Sequence, residues 1–512
     1  MELPRLAGCA LVCVLILAQA WADAPPKALT ANPKFEHGLA GWQISGDVHL
    51  QSGANGARTV VLGPGAGSIS QRIAVGANNH MQVSATIHSD PAGAGRLEVR
   101  FFDQGGNELM SLRSGEDIQA DSKDPDELSD YFRPHPLTAS VEIVISKDAT
   151  PGTVTVSRAE LDVYDDDNPA LHSTQNVAEL MKPFWQGSTV TGEAVLMESF
   201  GGGRAMGTLM FRPTRVLAVT NYDGSVTYEE GRDYTVDGRT LTATPGSRMT
   251  VVRDADLKHG DLAWNIIGGK QVLVSYEHSD QWAGPVQPYA GDGLPNTIRK
   301  LRDHAPLTIV AFGDSITYGI GSSHMRQIPP YQEPWIDLFA QQLKSDTGDS
   351  SITLYNSSQS GAASDWARGM AGRMVANLHP DLVIVAFGQN DFWRISADDF
   401  AANITAAMQT VKAANPDAEF LLVSTLRFDP AYTTNAGYWE LVSQYDARLR
   451  AMTGPGVQLV DMTNISGAVY AAKSPKDCLN DPLHPNDYFA RWYAQSLIAA
   501  LVNEQKSTGA GK

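Results

Sequence analysis

The stretch that decides the fold of this chain is LTIVAFGDSI, residues 307–316. Its first six residues are apolar or β-branched, which is typical of a buried strand, and the following Gly313 and Asp314 break the run. We therefore expect Ser315 on a turn at the carboxyl end of a strand. Open α/β sheets bind their ligands at that end of the strands. The stretch predicts a strand followed by a serine at a ligand-binding edge.

Strand-like runs alternate with helical stretches from Pro306 onward. Alternation of this kind requires crossover connections, and it predicts a parallel sheet covered by helices on both faces. We expect five strands, at 307–312, 351–355, 382–387, 420–425 and 457–461. The expected helices lie at about 333–344, 365–377, 397–414, 438–452 and 487–503.

Two β-rich segments precede this α/β domain, for which we expect the bounds 303–505. Residues 28–165 contain short apolar runs separated by Gly, Asn, Asp and Pro clusters, which predicts an all-β sandwich. Residues 175–290 are predicted to form a small β-rich accessory domain. A chain of 512 residues is long enough for two to four domains.

The segment NPKFEHGLAGW, residues 32–42, resembles the first strands of jelly-roll carbohydrate-binding modules. The resemblance implies a jelly roll over 28–165. Phe35 and Trp42 are then either sugar platforms or core aromatics, and we favour the core. The acidic run DDDNP, residues 165–169, is interpreted as a linker, because a solvated charge run is commoner than a calcium site.

The first 24 residues have the pattern of a signal peptide. Arg5 is followed by an apolar stretch at 10–18 and by small residues in the spacing of cleavage sites. We therefore expect a secreted or periplasmic protein, with no membrane segment in its mature form. Cys478 is then the single remaining cysteine. It is either part of a Cys-His nucleophile pair or a small buried thiol, and we favour the second.

The formal net charge is −18 at pH 7. Nucleic acids and anionic membranes bind mainly through Lys and Arg, so this charge argues against both as partners. A neutral or soluble substrate fits the charge better.

The segment DPLHPN, residues 481–486, places an Asp and a His three residues apart, just before the last predicted helix. A serine nucleophile needs a base to accept its proton, and that base needs a group to orient it. Ser315, His484 and Asp481 could supply these three parts. The chain shows no HExxH motif and no Cys/His cluster, so we expect no metal and no cofactor.

Four blocks in this order resemble the SGNH (GDSL) hydrolase family: GDS at 313–315, Gly361, GQND at 388–391, and Asp481 with His484. The resemblance covers about the last 200 residues. It implies a three-layer α/β/α domain with a five-stranded parallel sheet. It also implies that Ser315 is the nucleophile, that His484 is the general base, and that Asp481 orients His484.

An oxyanion hole follows from the same resemblance. Its donors would be the backbone N–H groups of Ser315 and Gly361 and the side-chain amide of Asn390. Each residue has a structural alternative. Ser315 or Asp481 could cap a helix, Asn390 could hold a turn, Gly361 could start a helix, and His484 could lie at the surface.

The family cleaves esters, and this chain looks like a secreted bacterial carbohydrate acetylesterase acting on hemicellulose such as xyloglucan or xylan. The expected partner is an acetylated polysaccharide or oligosaccharide, and we expect a monomer. Tyr318, Trp366, Phe392 and Trp393 lie beside the blocks and line the substrate pocket or pack in the core. The alternatives are a lipolytic or aryl esterase, a non-catalytic glycan-binding protein, and acetyl transfer.

Overall fold

A computed structural model describes residues 27–53, 56–76, 80–90, 95–114, 126–132, 134–164, 172–173, 175–199, 201–253, 256, 267–326, 328–430 and 436–503. The predicted signal peptide and the acidic linker at 165–169 lie outside these residues. The chain divides into two units, residues 1–169 and 170–512.

In the first unit, the described regular elements are nine strands, which all pair antiparallel. They are β1 Lys27–Ala28, β2 Gln43–Ser52, β3 Arg58–Ala74, β4 Met81–Asp90, β5 Gly95–Phe102, β6 Glu108–Ser114, β7 Asp126–Phe132, β8 Ser140–Lys147 and β9 Thr153–Val163. The order is β6-β5-β8-β3-β9-β4-β7, with β1 on β9 and β2 on β3. The all-β prediction is confirmed, and the jelly roll stays a prediction.

Phe35 and Trp42 are both buried, and their ring centroids lie 5.5 Å apart. This placement agrees with the interpretation of the two rings as core aromatics. The long strand β3 joins the two halves of the sheet, because its residues 60–62 pair with β9 and its residues 67–74 pair with β8.

The second unit begins with one short helix and two small sheets. Its elements are α1 Val177–Leu180, β10 Thr189–Val195, β11 Glu198–Ser199, β12 Met206–Thr208, β13 Pro213–Thr220, β14 Tyr234–Asp237, β15 Thr240–Ala243, β16 Val252–Arg253 and β17 Val272–His278. One sheet has the order β10-β17-β13 and the other has the order β14-β15-β12-β11-β16.

The α/β part of this unit follows. It comprises α2 Pro295–Arg302, β18 Leu307–Gly313, α3 Ser315–Tyr318, α4 Trp335–Thr347, β19 Ile352–Asn356, α5 Ser364–Met374, β20 Leu382–Ala386, α6 Ala397–Ala414, β21 Glu419–Val423, α7 Ala436–Ala451, β22 Val457–Val460, α8 Met462–Ala472 and α9 Asp487–Leu501. Single 3₁₀ turns occur at Gly291–Gly293, Ala376–Leu378 and Pro475–Asp477.

The five strands β18 to β22 form one parallel sheet, as predicted, and their order in the sheet is β19-β18-β20-β21-β22. Strand β18 has β19 on one side and β20 on the other, so the order reverses beside it. Ligands bind at such a switch point, outside the carboxyl ends of the strands. Gly313, at the carboxyl end of β18, lies opposite Ala386 of β20.

Four of the described helices were not predicted: the one-turn helices α1 and α3, and the longer helices α2 and α8. Asp461, predicted as the end of a strand, instead caps α8, because its side chain accepts a hydrogen bond from the Asn464 N–H. Helix α4 begins at Trp335, two residues later than predicted, since Pro334 is its N-cap. Among the described residues, no helix combines the length and apolar character needed to cross a membrane.

One hydrophobic cluster runs through the second unit. It includes Val195 and Tyr276 from the small sheets together with Phe339 and Trp492 from the α/β part. Phe184, which precedes β10, packs its ring 5.2 Å from that of Trp492 in α9. The predicted bounds of an accessory domain at 175–290 and an α/β domain at 303–505 stay a prediction.

Candidate active site

The Ser315 turn, residues 313–318, lies at the carboxyl end of β18, which has a neighbouring strand on each side. Asp314 caps the short helix α3, since its Oδ1 accepts a hydrogen bond from the Ile316 N–H at 3.0 Å. Gly313 is required by close packing, because a Cβ there would lie 2.6 Å from the Ala386 carbonyl oxygen. The cap is therefore Asp314, and Ser315 is the first residue inside the helix.

The His484 loop, residues 478–486, folds back on itself. The Asn480 N–H donates to the His484 carbonyl at 3.0 Å, and the Asn486 N–H donates to the Cys478 carbonyl at 2.9 Å. Asp481 lies at the tip, where its Oδ1 accepts from the N–H groups of Leu483 at 2.8 Å and His484 at 2.9 Å. These bonds fix the carboxylate beside the imidazole that follows it in the chain.

The three predicted residues form one hydrogen-bonded chain. His484 Nε2 lies 2.9 Å from Ser315 Oγ, and His484 Nδ1 lies 2.8 Å from Asp481 Oδ2. A carboxylate can only accept, so Nδ1 carries the hydrogen and Nε2 is left as the acceptor for the Ser315 hydroxyl. This is the tautomer that a serine nucleophile needs.

Asp481 does not cap the last helix, and His484 does not lie at the surface. The last helix is capped by Asn486, whose Oδ1 accepts from the Phe489 N–H at 3.1 Å. His484 is only 4% exposed.

Electrostatics favour a basic imidazole. Burial lowers the pKa of His484, but the charge and the hydrogen bond of Asp481 outweigh it, so the pKa is raised from its usual value. Asp314 adds to this rise. Burial raises the pKa of Asp314 itself to about 7.

The second and third predicted donors lie on two loops that are bonded to each other. Asn390 Nδ2 donates to the Ala362 carbonyl at 3.0 Å. A side-chain amide has a second N–H, which this bond does not use. Gly361 precedes α5 and has a φ of 75°, a value that favours glycine. No atom lies within 4 Å of the position that a Cβ of Gly361 would take. Backbone conformation, and not crowding, thus accounts for this glycine.

Asp391 was not predicted as part of the site. Its Oδ1 accepts from the Ser364 N–H at 2.9 Å and so ties the start of α5 to the Asn390 block. Burial raises its pKa to about 6. Its position beside Asn390 in the GQND block was the available signal in the sequence.

The four aromatic residues proposed to line the pocket or the core divide into two pairs. Tyr318 and Phe392 are each only 1% exposed, in agreement with the core alternative. Trp366 is half-buried against Phe312, with ring centroids 5.5 Å apart, and Trp393 is 36% exposed.

Cys478 is fully buried, and burial raises the pKa of its thiol. Reactive cysteines have a lowered pKa, so this residue has the properties of a structural thiol.

Residues 311–492 match the model of the GDSL-like Lipase/Acylhydrolase family. No curated protein matches the chain.

Solved structures resemble parts of the chain. An acetylxylan esterase from Geobacillus stearothermophilus, solved as a catalytic mutant, is 16% identical over 39% of this chain and 95% of that chain, with a TM-score of 0.33. A carbohydrate esterase family 3 protein from Talaromyces cellulolyticus is 19% identical over 37% of this chain and 94% of that chain, with a TM-score of 0.30. The enzymatically active domain of tailspike protein 4 from bacteriophage CBA120 is 14% identical over 27% of this chain, with a TM-score of 0.24, and only 21% of its own length is covered.

The family match begins within β18, includes Ser315, Gly361 and Asn390, and ends after the His484 loop. Residues 311–492 are therefore a domain of the GDSL-like lipase/acylhydrolase family.

Proposed function

We propose that the chain is a secreted serine esterase that removes O-acetyl groups from plant cell-wall polysaccharide of the xyloglucan or xylan type, or from its oligosaccharides. The observation that carries the proposal is the hydrogen-bonded chain from the Ser315 hydroxyl through His484 to Asp481. It lies at the carboxyl end of β18, in a domain that matches the GDSL-like Lipase/Acylhydrolase family.

The proposed reaction proceeds through an acyl-enzyme. Ser315 Oγ attacks the carbonyl carbon of the ester while its proton moves to His484 Nε2. His484 then gives this proton to the sugar oxygen as the bond between that oxygen and the acetyl carbon breaks. Water next attacks the acetyl-Ser315 ester while His484 Nε2 accepts one of its protons. The bond between Ser315 Oγ and the acetyl carbon then breaks, His484 returns the proton to Ser315 Oγ, and acetic acid leaves and ionises to acetate. Asp481 stabilises the imidazolium that forms in each half of the reaction.

The negative charge that develops on the ester oxygen requires donors that are already in place. We assign this role to the backbone N–H groups of Ser315 and Gly361 and to the second amide N–H of Asn390. The bond from Asn390 to Ala362, next to Gly361, supports the assignment, because it holds two of the three donors on loops of fixed relative position.

Three observations support the acetylated-polysaccharide substrate and the export of the protein. The signal-peptide pattern favours an extracellular substrate, and the net charge of −18 favours a neutral one. The resemblance of residues 32–42 to carbohydrate-binding modules favours a sugar polymer. Trp393, with its exposed ring, is the best placed of the four aromatics to contact it.

The experiment is acetate release from a panel of acetylated polymers, compared with hydrolysis of p-nitrophenyl acetate and octanoate. We expect acetate release from acetylated xyloglucan or xylan and a preference for the acetyl ester over the octanoyl ester. Ser315→Ala is the control for background hydrolysis. A preference for octanoate would replace the proposal with a lipolytic or aryl esterase. Glycan binding without release of acetate from any polymer would indicate a binding protein.

A further inference from the structure

The chain on both sides of the His484 loop is bonded to the strand β10 and its neighbours. Before the loop, the Lys473 side chain is fully buried and pairs with the equally buried Glu193 carboxylate. Lys473 Nζ also donates to the Ala194 carbonyl at 2.7 Å. The two partners of this ion pair are 280 residues apart in the chain.

The contacts continue to within two residues of Asp481. Asp477 Oδ1 accepts from the Leu196 N–H at 2.6 Å. Gln271, which precedes β17 and is 1% exposed, donates from Nε2 to the carbonyls of Lys476 at 3.1 Å and Leu479 at 2.9 Å.

After the loop, the same strand is contacted from α9. The buried Arg491 donates to the carbonyl of Thr191 at 2.7 Å and to that of Gly192 at 2.6 Å. Four consecutive residues of β10, 191–194, therefore bind both the segment before the loop and the helix after it.

The segment that follows the Ser315 turn contacts the His484 loop and the first residue of α9. The side-chain amide of Asn480 donates to the Gly321 carbonyl, and the Asp487 carboxylate accepts from the Ser323 N–H at 2.8 Å. The position of His484 relative to Ser315 is thus set by two groups of contacts, one from the Ser315 side and one from the small β-sheets.

We propose that the small β-sheets of the second unit, residues 189–278, are a positioning element for the Asp481–His484 pair. Gln271 is its most direct positioning residue, because it bonds the carbonyl of Leu479 two residues before Asp481. This inference rests on the proposed function, since it concerns the site at which that reaction would occur. It gives this segment a role in catalysis without contact with substrate.

The test compares two buried glutamines of the full-length protein. Gln271→Met keeps the length of the side chain and removes the two bonds to the loop. Gln287→Met is the matched control, because Gln287 is also buried and its Nε2 donates to the Leu459 carbonyl at 2.9 Å. Leu459 belongs to β22, an edge strand of the parallel sheet, and not to the His484 loop.

For Gln271→Met we expect kcat to fall by ~10- to 100-fold with KM changed by less than about twofold, since small displacements of reacting groups have effects of this size. The pKa of His484, followed by NMR titration and assigned with His484→Asn, should move down towards that of a free imidazole. The reason is that Asp481, which raises this pKa together with Asp314, would be held less closely. Gln287→Met should change neither quantity.

A Gln271→Met protein with wild-type kcat and wild-type His484 pKa overturns the proposal, and so does an equal change in both variants. If Gln271→Met does not fold, the pair Lys476→Met and Lys300→Met decides in the same way. Lys476 joins the loop region to Glu198 at 2.7 Å, and Lys300 joins α2 to Asp381 at 2.7 Å with similar exposure. If the wild-type protein hydrolyses no ester, the proposed function fails, and the NMR titration still tests the positioning role.

Discussion

The Ser315 turn and the His484 loop are held in place in different ways. The Ser315 turn is fixed by its own sequence and by the neighbouring strand: Asp314 caps the helix and Gly313 packs on Ala386. The His484 loop is fixed at its tip by Asp481 and at its base by residues about 200 to 280 positions away, among them Gln271 and Glu193. One half of the site is organised locally, and the other depends on a distant part of the chain.

The difference has a consequence for mutations. Substitutions in the Ser315 turn should act on chemistry with little change elsewhere, whereas substitutions that remove side-chain hydrogen bonds of the His484 loop should alter both chemistry and the titration of the imidazole. Mutations in the two regions can therefore test this contrast.

Ser315→Ala removes the nucleophile from the locally organised half. We expect kcat to fall by on the order of 10⁵- to 10⁶-fold, as when the serine of other such triads is removed. The free energy of unfolding should change by about 1 kcal/mol or less, because the side chain loses a single hydrogen bond. Steady-state kinetics and urea unfolding measure the two effects. Residual turnover near the wild-type rate would exclude Ser315 as the nucleophile.

Asp481→Asn acts in the His484 loop. We expect kcat to fall by about 10²- to 10⁴-fold, since an amide cannot hold the imidazole in the same tautomer, but to stay above that of Ser315→Ala. The Asn Oδ1 can still accept from the Leu483 and His484 N–H groups, so the loop should keep its fold. Undiminished activity would show that the site works as a Ser-His pair.

Asn390→Ala tests the proposed oxyanion donor that belongs to neither the Ser315 turn nor the His484 loop. Loss of one oxyanion donor typically lowers kcat by about 10²- to 10³-fold. The matched control is Asn415→Ala, because Asn415 also donates from Nδ2 to a backbone carbonyl, that of Pro380 at 2.6 Å. Pro380 lies just before β20, whereas Asn390 lies just after it, at the other end of the strand. We expect the control to keep kcat within about twofold. Equal loss in both variants would assign Asn390 a role in stability alone.

The pH profile reports the charge of the His484 loop. His484 must be neutral to accept the Ser315 proton, so kcat/KM should fall as pH falls through the pKa of His484 in the free enzyme. Asp481 raises this pKa above the usual value of an imidazole, so the acid limb of the wild-type enzyme should lie at higher pH than the titration of a free imidazole. In Asp481→Asn the carboxylate charge is gone, and the limb should move to lower pH. A limb that does not move would mean that another group controls it.

Cys478→Ala should have the smallest effect on catalysis. The thiol is buried and burial raises its pKa, so it offers no thiolate for chemistry. We expect kcat within about twofold of wild type and a loss of stability of about 1 kcal/mol from the vacated volume. Iodoacetamide should leave the native enzyme active, and rapid inactivation that Cys478→Ala abolishes would contradict this prediction.

The sequence was sufficient for features whose causes are local. Strand β18 and the Ser315 turn follow from an apolar run and the Gly-Asp break. Helix α6 was predicted with its observed bounds, because Ser396 caps it by accepting from the Asp399 N–H. Helix α8 was not predicted, since its sequence MTNISGAVYAA is short, directly follows a strand, and contains Gly467, which disfavours a helix.

The support of the His484 loop could not be predicted from the sequence. Asp477 and Lys473 look like ordinary surface charges in the sequence, and both are buried. Their burial depends on partners such as Glu193 and Leu196, which only the folded chain brings to them. For the same reason the sequence does not predict the contacts that residues 175–290 make with the chain around the His484 loop.

The two buried cations beside the His484 loop limit how this hydrolase can be recombined with other proteins. Lys473 and Arg491 have their oxygen partners on β10. A transplant that moved residues 303–505 alone would remove the β10 partners of both cations, leaving Lys473 only with Asp477 at 3.8 Å and Arg491 without the two carbonyls that it binds. The smallest exchangeable piece of this enzyme therefore includes β10, although that strand lies more than a hundred residues before the serine.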